Sequence, residues 1–191
     1  MKLTFFFGFT VFANEMWLPL IVINDLKYGV AVLNGVMLEI GIFMVPVLLL
    51  MVWKPPSKKL VFIYYVISII VQICVFLILL ALKMFHSNEV LNMVLLGTYG
   101  ALFSTSPYMH QLPIITIAQM VPKSSQGYVQ GILQAFFKVG SSMGMILPPQ
   151  VYRWFSIDVI IIVILSVMLL FALVVRRANI IHPKVLFKWN I

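Results

Sequence analysis

Charged residues are scarce in this chain, and their scarcity defines its class. Only 9% of the 191 residues are Asp, Glu, Lys or Arg, whereas 63% are hydrophobic and the mean hydropathy is +1.11. A soluble domain needs a largely polar surface, so this composition excludes a soluble globular protein. It indicates an integral membrane protein whose main partner is the lipid bilayer.

Cysteine and catalytic motifs are also almost missing. The single cysteine, Cys74, excludes an intrachain disulfide. The sequence has no nucleotide-binding loop, metalloprotease motif or paired metal-ligand motif, so we expect no enzyme, no cofactor and no metal site. A net charge of +8 would suggest nucleic acid in a soluble protein, but in a membrane protein it more often reflects orientation. We therefore expect no nucleic-acid partner.

Long apolar runs are what the chain has instead. A membrane-spanning helix needs about 20 mostly apolar residues, and six runs qualify: about 3–23, 30–53, 60–82, 90–120, 128–147 and 157–175. The sequence thus predicts an all-α membrane protein, with a six-helix transmembrane domain over residues 1–175 and a basic cytosolic tail over 176–191. The fourth run contains Pro107 and Pro113, which predict a kink or a local break.

The basic residues divide unevenly between the two sides of the predicted bundle. Six spans place both termini on one side, and that side carries nine Lys or Arg: Lys2, Lys54, Lys58, Lys59, Lys123, Arg176, Arg177, Lys184 and Lys188. The other side carries three: Lys27, Lys83 and Arg153. Because basic loops stay in the cytosol, a multi-pass protein with both termini cytosolic is predicted.

Three charged residues, Glu15, Glu39 and Lys138, lie near the middle of predicted spans one, two and five. Each would cost about 2.5–3.5 kcal/mol at mid-membrane, so we expect them to face the bundle interior or water. We expect Glu15 and Lys138 to approach each other directly or through water. Two interpretations stay open, namely a charged pathway for a solute or ion and a structural Glu–Lys pair that only fixes packing.

Uncharged polar residues extend this candidate pathway. They are Asn14, Gln134 and His110, and His110 is interpreted either as a proton relay or as a simple hydrogen-bonding group. By contrast, spans three and six contain few polar residues, chiefly Gln72 and Ser166, and are predicted to face lipid.

Span five is rich in small residues with helical spacing. Gly127 and Gly131 form one G-x-x-x-G pattern, and Gly140 and Gly144 form a second. Such faces allow the backbones of neighbouring helices to approach closely, so these four glycines are predicted to serve helix packing.

The order of polar and apolar helices resembles one six-helix half of a major facilitator superfamily transporter. The stretch "PKSSQGYVQGIL" followed by "QVY" resembles the region around helices ten and eleven of its ceroid-lipofuscinosis-associated, lysosomal branch. "FANEMWLPL" resembles helix seven of that branch, with Glu15 and Pro19 at its acid and proline, and "LNGV" resembles the start of helix eight. Where the branch has Arg and Pro on helix eleven, this chain has Ser141 and Met145, and Lys138 lies one turn before Ser141.

The resemblance implies that the six spans correspond to helices seven to twelve of that fold. It implies alternating-access movement of a small solute or ion across a lysosomal or other internal membrane. Such a half would work with a second six-helix half or as a homodimer, and whether the chain is a fragment or a half-size protein stays open. The alternatives are an anion-channel-like conductance, since Lys138 would attract anions, and a transport-inactive protein with an interaction role.

Overall fold

The computed structural model describes residues 2–53, 61–106, 111, 114–115, 121–152, 154–156, 159, 161–162, 164–166 and 169. Every regular element in this part of the chain is helical, and no strand occurs in it. The elements are α1 (Lys2–Pro19), a π-helix (Leu20–Asp25), α2 (Val30–Trp53), α3 (Val61–Met84), α4 (Glu89–Phe103) and α5 (Lys123–Tyr152).

Three helical segments are long and apolar enough to cross a membrane: Phe7–Asp25, Val30–Leu50 and Val66–Met84. They support the coarse prediction of an all-helical membrane protein. The fourth predicted span is helical only to Phe103, after which Ser104 and Thr105 form a turn. The two prolines of the fourth run lie outside the described residues. So do almost all of the second half of the sixth span and the tail 176–191.

The first span changes its helical winding at Pro19. Proline has no backbone N–H and its ring clashes with the carbonyl four residues earlier, so Pro19 disturbs the helical turn that precedes it. Here the chain continues as a π-helix from Leu20 to Asp25. Lys27 then adopts a positive φ of 59°, which turns the chain into α2. The acid at Glu15 therefore lies one turn before a local change of helical winding.

Side-chain contacts show the relative direction of α1 and α3. Asn14 contacts Gln72, and one turn further on Trp17 packs edge-to-face on Phe76 with ring centroids 5.7 Å apart. Because both residue numbers rise together, α1 and α3 run parallel. A short turn over residues 85–87 reverses the chain, so α4 runs antiparallel to α3.

The contacts between α2 and α4 show the relative direction of these two helices in the same way. Asn92 lies within 3.4 Å of the Tyr28 hydroxyl just before α2, and Glu39 lies beside Gly97 and Gly100 further along both helices. The two helices are therefore parallel to each other and antiparallel to α1 and α3. The first four described helices alternate in direction, as successive passes through a bilayer would.

The closest helix contact in the bundle joins α1 to α5. A Cβ on Gly140 would overlap the Phe5 carbonyl and lie 3.0 Å from Phe9 N, and a Cβ on Gly144 would overlap the Phe9 carbonyl and lie 3.0 Å from Ala13 N. Gly8 of α1 faces Phe137 and Ser141 in the same way. Only glycine permits backbones this close. The numbers of the contacting residues rise together along both helices, so α5 is parallel to α1. The alternation of helix directions therefore continues to α5.

The prediction that the third span faces lipid is wrong for one whole face of α3. Side chains along that face are buried: Ser68, Ile69, Gln72, Val75, Phe76, Leu79 and Leu82. A glutamine amide has two donors and an acceptor that hydrocarbon cannot satisfy, so the helix turns this residue inward. Among the few described positions of span six, Ser166 is exposed and bonds to Ile162 O of its own helix, whereas Ile161 and Leu165 are buried in the core.

Candidate solute pathway

A buried polar network joins α1, α3 and the turn after α4. Asn14 Nδ2 donates to Gln72 Oε1 at 3.0 Å and to Thr10 O at 3.0 Å, and Gln72 Nε2 donates to Ser106 Oγ at 2.5 Å. We call Asn14, Gln72 and Ser106 the core network. All three side chains are fully buried. The core network holds three segments in one arrangement and leaves no opening for a solute among its own members.

Tyr99 extends the network from α4. Its ring is fully buried and stacks on Phe103 at 5.4 Å, while its hydroxyl lies 3.4 Å from Asn14 O. This distance makes the hydrogen bond weak. Asn14 was predicted to line the pathway, and the structure places it at the junction of three helices instead. The spacing of Ser68 and Gln72, four residues apart on one helix face, was the signal that could have revealed this junction from sequence.

Glu15 lies next to the core network but is not one of its members. Its neighbour Asn14 is fully buried, whereas Glu15 is only partly buried. No ion pair or hydrogen bond joins the Glu15 carboxylate to another described residue. The carboxylate is partly buried, and its charge acts on the buried Tyr99 of α4.

The structure does not bring Lys138 to Glu15. Gly140 lies against Phe5 and Phe9, so Lys138 is level with about residue 6 of α1. Glu15 is about nine residues further along the same axis, or ~13 Å at 1.5 Å per residue. Lys138 is also exposed, on the side of α5 away from the Gly140 contact. A direct Glu15–Lys138 pair is excluded by both the level and the direction, and the structural-pair interpretation loses its basis.

Glu39 occupies a notch on α4. Its carboxylate carbon and one carboxylate oxygen lie 2.9 Å from the position that a Cβ on Gly100 would take, and the other oxygen lies 3.8 Å from that position on Gly97. Two glycines one turn apart thus leave room for the acid between α2 and α4. Glu39 is partly buried, and no ion pair joins it to the residues that the structure describes.

Three faces can be distinguished along α5. The first packs on α1 through Leu133, Phe137, Gly140 and Gly144. The second is an exposed apolar face formed by Phe136, Val139, Met143 and Ile146. The third carries Gly127, Gly131, Gln134, Lys138 and Ser142, which recur every three or four residues. We call this third set the polar stripe.

The polar stripe lies open along most of its length. All of its members are exposed except Gln134, which is partly buried and donates to Gln111 Oε1 at 3.3 Å. Lys138 is the stripe's only charged group, and Ser142 bonds back to Lys138 O at 3.0 Å. Lipid chains offer a polar stripe no partners, whereas an aqueous cavity or a polar helix face does.

The four predicted packing glycines separate into two pairs. Gly140 and Gly144 lie in the α1 contact, while no described atom comes within 4 Å of a Cβ built on Gly127 or Gly131. The first G-x-x-x-G pattern therefore belongs to the polar stripe and the second to the α1 contact. His110 lies outside the described residues, so its assignment stays a prediction.

Comparisons with family models, curated proteins and solved structures give no match to this chain. The resemblance to a transporter half therefore rests on the residues quoted above, and the function is argued from the polar stripe.

Proposed function

We propose that this chain is one six-helix half of a membrane transporter that moves a small solute or ion by alternating access. The polar stripe of α5 carries this proposal. It runs from Gly127 to Ser142, it carries Lys138 near the middle of the helix, and all its members except Gln134 are exposed. A stripe of this kind is suited to line an aqueous path rather than to contact lipid.

The partner in this proposal is a second six-helix half, either another copy or a different chain. Besides the polar stripe, α2 offers a largely open surface, since only 11% of its membrane-length window is buried. Two halves that meet around a central path would cover the stripe and part of α2 together. Alternating access would then be rocking of one half against the other around this path.

The positive charge of Lys138 determines which class of solute the path would attract. A lysine near the middle of a membrane pathway attracts an anion or an anionic group of a solute. Its neighbours on the stripe are small or hydroxylated, so they leave room beside the ammonium group and add hydrogen-bonding partners. We therefore propose an anionic solute class, with Glu39 and Glu15 as acidic groups at the edges of the same half.

Removal of the Lys138 charge tests the function directly. We expect Lys138→Met to lower anion flux at least tenfold and Lys138→Arg to retain most of it, because Arg keeps the charge. The probes are iodide entry into vesicles, followed by a halide-sensitive dye, and uptake of mixed small organic anions, followed by mass spectrometry. Lys123→Met is the matched control, since Lys123 is an exposed lysine at the start of the same helix.

The same assay distinguishes the candidate functions. Saturable uptake that depends on Lys138 supports a transporter, whereas iodide flux that never saturates supports an anion channel. Equal flux in wild type and Lys138→Met, with the protein folded and in the membrane, would contradict both functions.

A cysteine-labelling experiment tests the proposed orientation. Ser124 lies at the start of α5 and Ser87 in the turn after α3, so parallel α3 and α5 place them at opposite ends of the bundle, and both are exposed. In a Cys74→Ala background we expect a membrane-impermeant maleimide on the cytosolic side to label Ser124→Cys and to spare Ser87→Cys. Equal labelling, or the reverse preference, would overturn the cytosolic placement of the termini.

A further inference from the structure

A cavity of about 320 Å³ opens at one end of the α1–α5 contact. Its lining comes from α1, the last two turns of α5 and the residues that follow: Phe9, Trp17, Leu147, Pro148, Val151, Phe155, Val159 and Ile164. No polar atom of the described residues lines it. We infer that this cavity holds one acyl chain of a membrane phospholipid, a role separate from the polar stripe and independent of transport.

The glycine contact accounts for the cavity. Gly140 and Gly144 let α5 touch α1 as far as Ala13. Beyond that level α5 carries Leu147 and Pro148 where a further small residue would be needed, and α1 carries Trp17. These larger side chains cannot pack as closely as the glycines, and the cavity lies beside and beyond the glycine contact, from Phe9 to Trp17.

The lining selects the chemistry of the occupant. A solute with charged or hydrogen-bonding groups would lose its water and gain no partner there. An apolar cavity of roughly 150 Å³ accommodates benzene, and this one has about twice that volume. A stretch of saturated or unsaturated chain fits both the volume and the lining.

The position of the cavity selects a lipid anchored at the membrane surface. Its floor is formed by Trp17 and Pro148, which are buried, and its rim by Leu147, Phe155 and Val159, which are exposed toward the surroundings. Trp154, next to the rim, is 82% exposed, and exposed tryptophans mark the membrane–water interface. A phospholipid headgroup at that interface would place the upper part of its chain at the depth of the cavity.

Trp17 supplies a built-in reporter for the test. It is 1% exposed and lines the cavity, so a bromine atom inside the cavity lies closer to it than bromine atoms on the lipid around the bundle. The full chain with Trp53→Phe, Trp154→Phe and Trp189→Phe retains Trp17 as its one tryptophan. We expect vesicles of phosphatidylcholine brominated along the acyl chain to quench the Trp17 emission at least twofold relative to unbrominated vesicles.

Filling the cavity should remove this quenching. We expect Val151→Phe to cut the quenched fraction at least threefold, and Val139→Phe, on the exposed apolar face of α5, to leave it unchanged. Leu147→Phe serves as a second filling variant should Val151→Phe lose its helical circular dichroism. Val151→Ala widens the cavity and should keep the quenching.

Three results would overturn the inference. They are unquenched Trp17 emission in brominated phospholipid, equal quenching in the filling variants and Val139→Phe, and stronger quenching by a brominated sterol than by the phospholipid. The last would assign the cavity to a sterol instead of an acyl chain.

Discussion

Replacement of Gly140 by alanine is expected to destabilise the folded chain by about 3 kcal/mol, at the upper end of the range for overpacking. The added Cβ would overlap the carbonyl oxygen of Phe5 and approach Phe9 N to 3.0 Å. Both neighbours are backbone atoms of α1, so no rotamer change relieves the overlap and one helix has to shift. Alanine's helix propensity favours it over glycine by about 1 kcal/mol, which is too little to reverse the sign.

Gly131→Ala is the matched control on the same helix. No described atom lies within 4 Å of its Cβ position, so the propensity gain should leave stability unchanged or slightly raised. The measurement is the unfolding midpoint of purified protein in detergent, followed by loss of helical signal. Equal midpoints for Gly140→Ala and wild type would contradict the close α1–α5 contact.

Gln72→Leu is expected to cost about 2 kcal/mol, although an apolar substitution on a helix that faced lipid would be harmless. The change removes the acceptor of Asn14 Nδ2 at 3.0 Å and the donor to Ser106 Oγ. Hydrogen bonds between membrane helices contribute only about 0.6 kcal/mol on average. The larger part of the cost comes from leaving the buried Asn14 and Ser106 groups with fewer partners.

A double-mutant cycle isolates this contribution. If the network acts as a unit, Gln72→Leu combined with Asn14→Leu should cost less than the sum of the two single variants. Ser166→Ala is the control, since its hydroxyl is exposed and bonds within its own helix, and should change stability by less than about 0.5 kcal/mol. Simple additivity of the two leucine variants would contradict the network.

The two stability predictions bear on the proposed function through geometry. The glycine contact fixes which face of α5 meets α1, and it thereby fixes the direction of the polar stripe on the same helix. A helix rotated by overpacking would carry Lys138 to a new direction. Gly140→Ala protein that still folds should therefore also lose Lys138-dependent anion flux.

Much of the fold followed from local pattern. Apolar runs predicted the first three spans to within a few residues of α1, α2 and α3, because membrane hydrocarbon requires a continuous apolar helix of fixed length. The two prolines of the fourth run predicted an interruption, and α4 ends before them at Phe103. Helix ends and interruptions depend on nearby residues, so they can be predicted from the local sequence.

The sequence predicted the direction of side chains less well than the bounds of helices. The spacing of Gly140 and Gly144 predicted close packing, yet the same spacing of Gly127 and Gly131 belongs to an open face. Glu15 and Lys138 were expected to meet, but nine residues of register separate them. A G-x-x-x-G pattern and a pair of opposite charges are both compatible with many registers, and only the packing of α5 against α1 selects one.

By itself, the sequence indicated that this is a helical membrane protein, and it located the three charged residues within its apolar spans. Those properties follow from composition and from runs along the chain. The tertiary structure decided that Gln72 turns inward to Asn14, that Glu39 lies between two glycines, and that Lys138 stands on an open polar stripe. These depend on which helix faces which neighbour, and that arrangement is fixed by contacts between residues that lie far apart in the sequence.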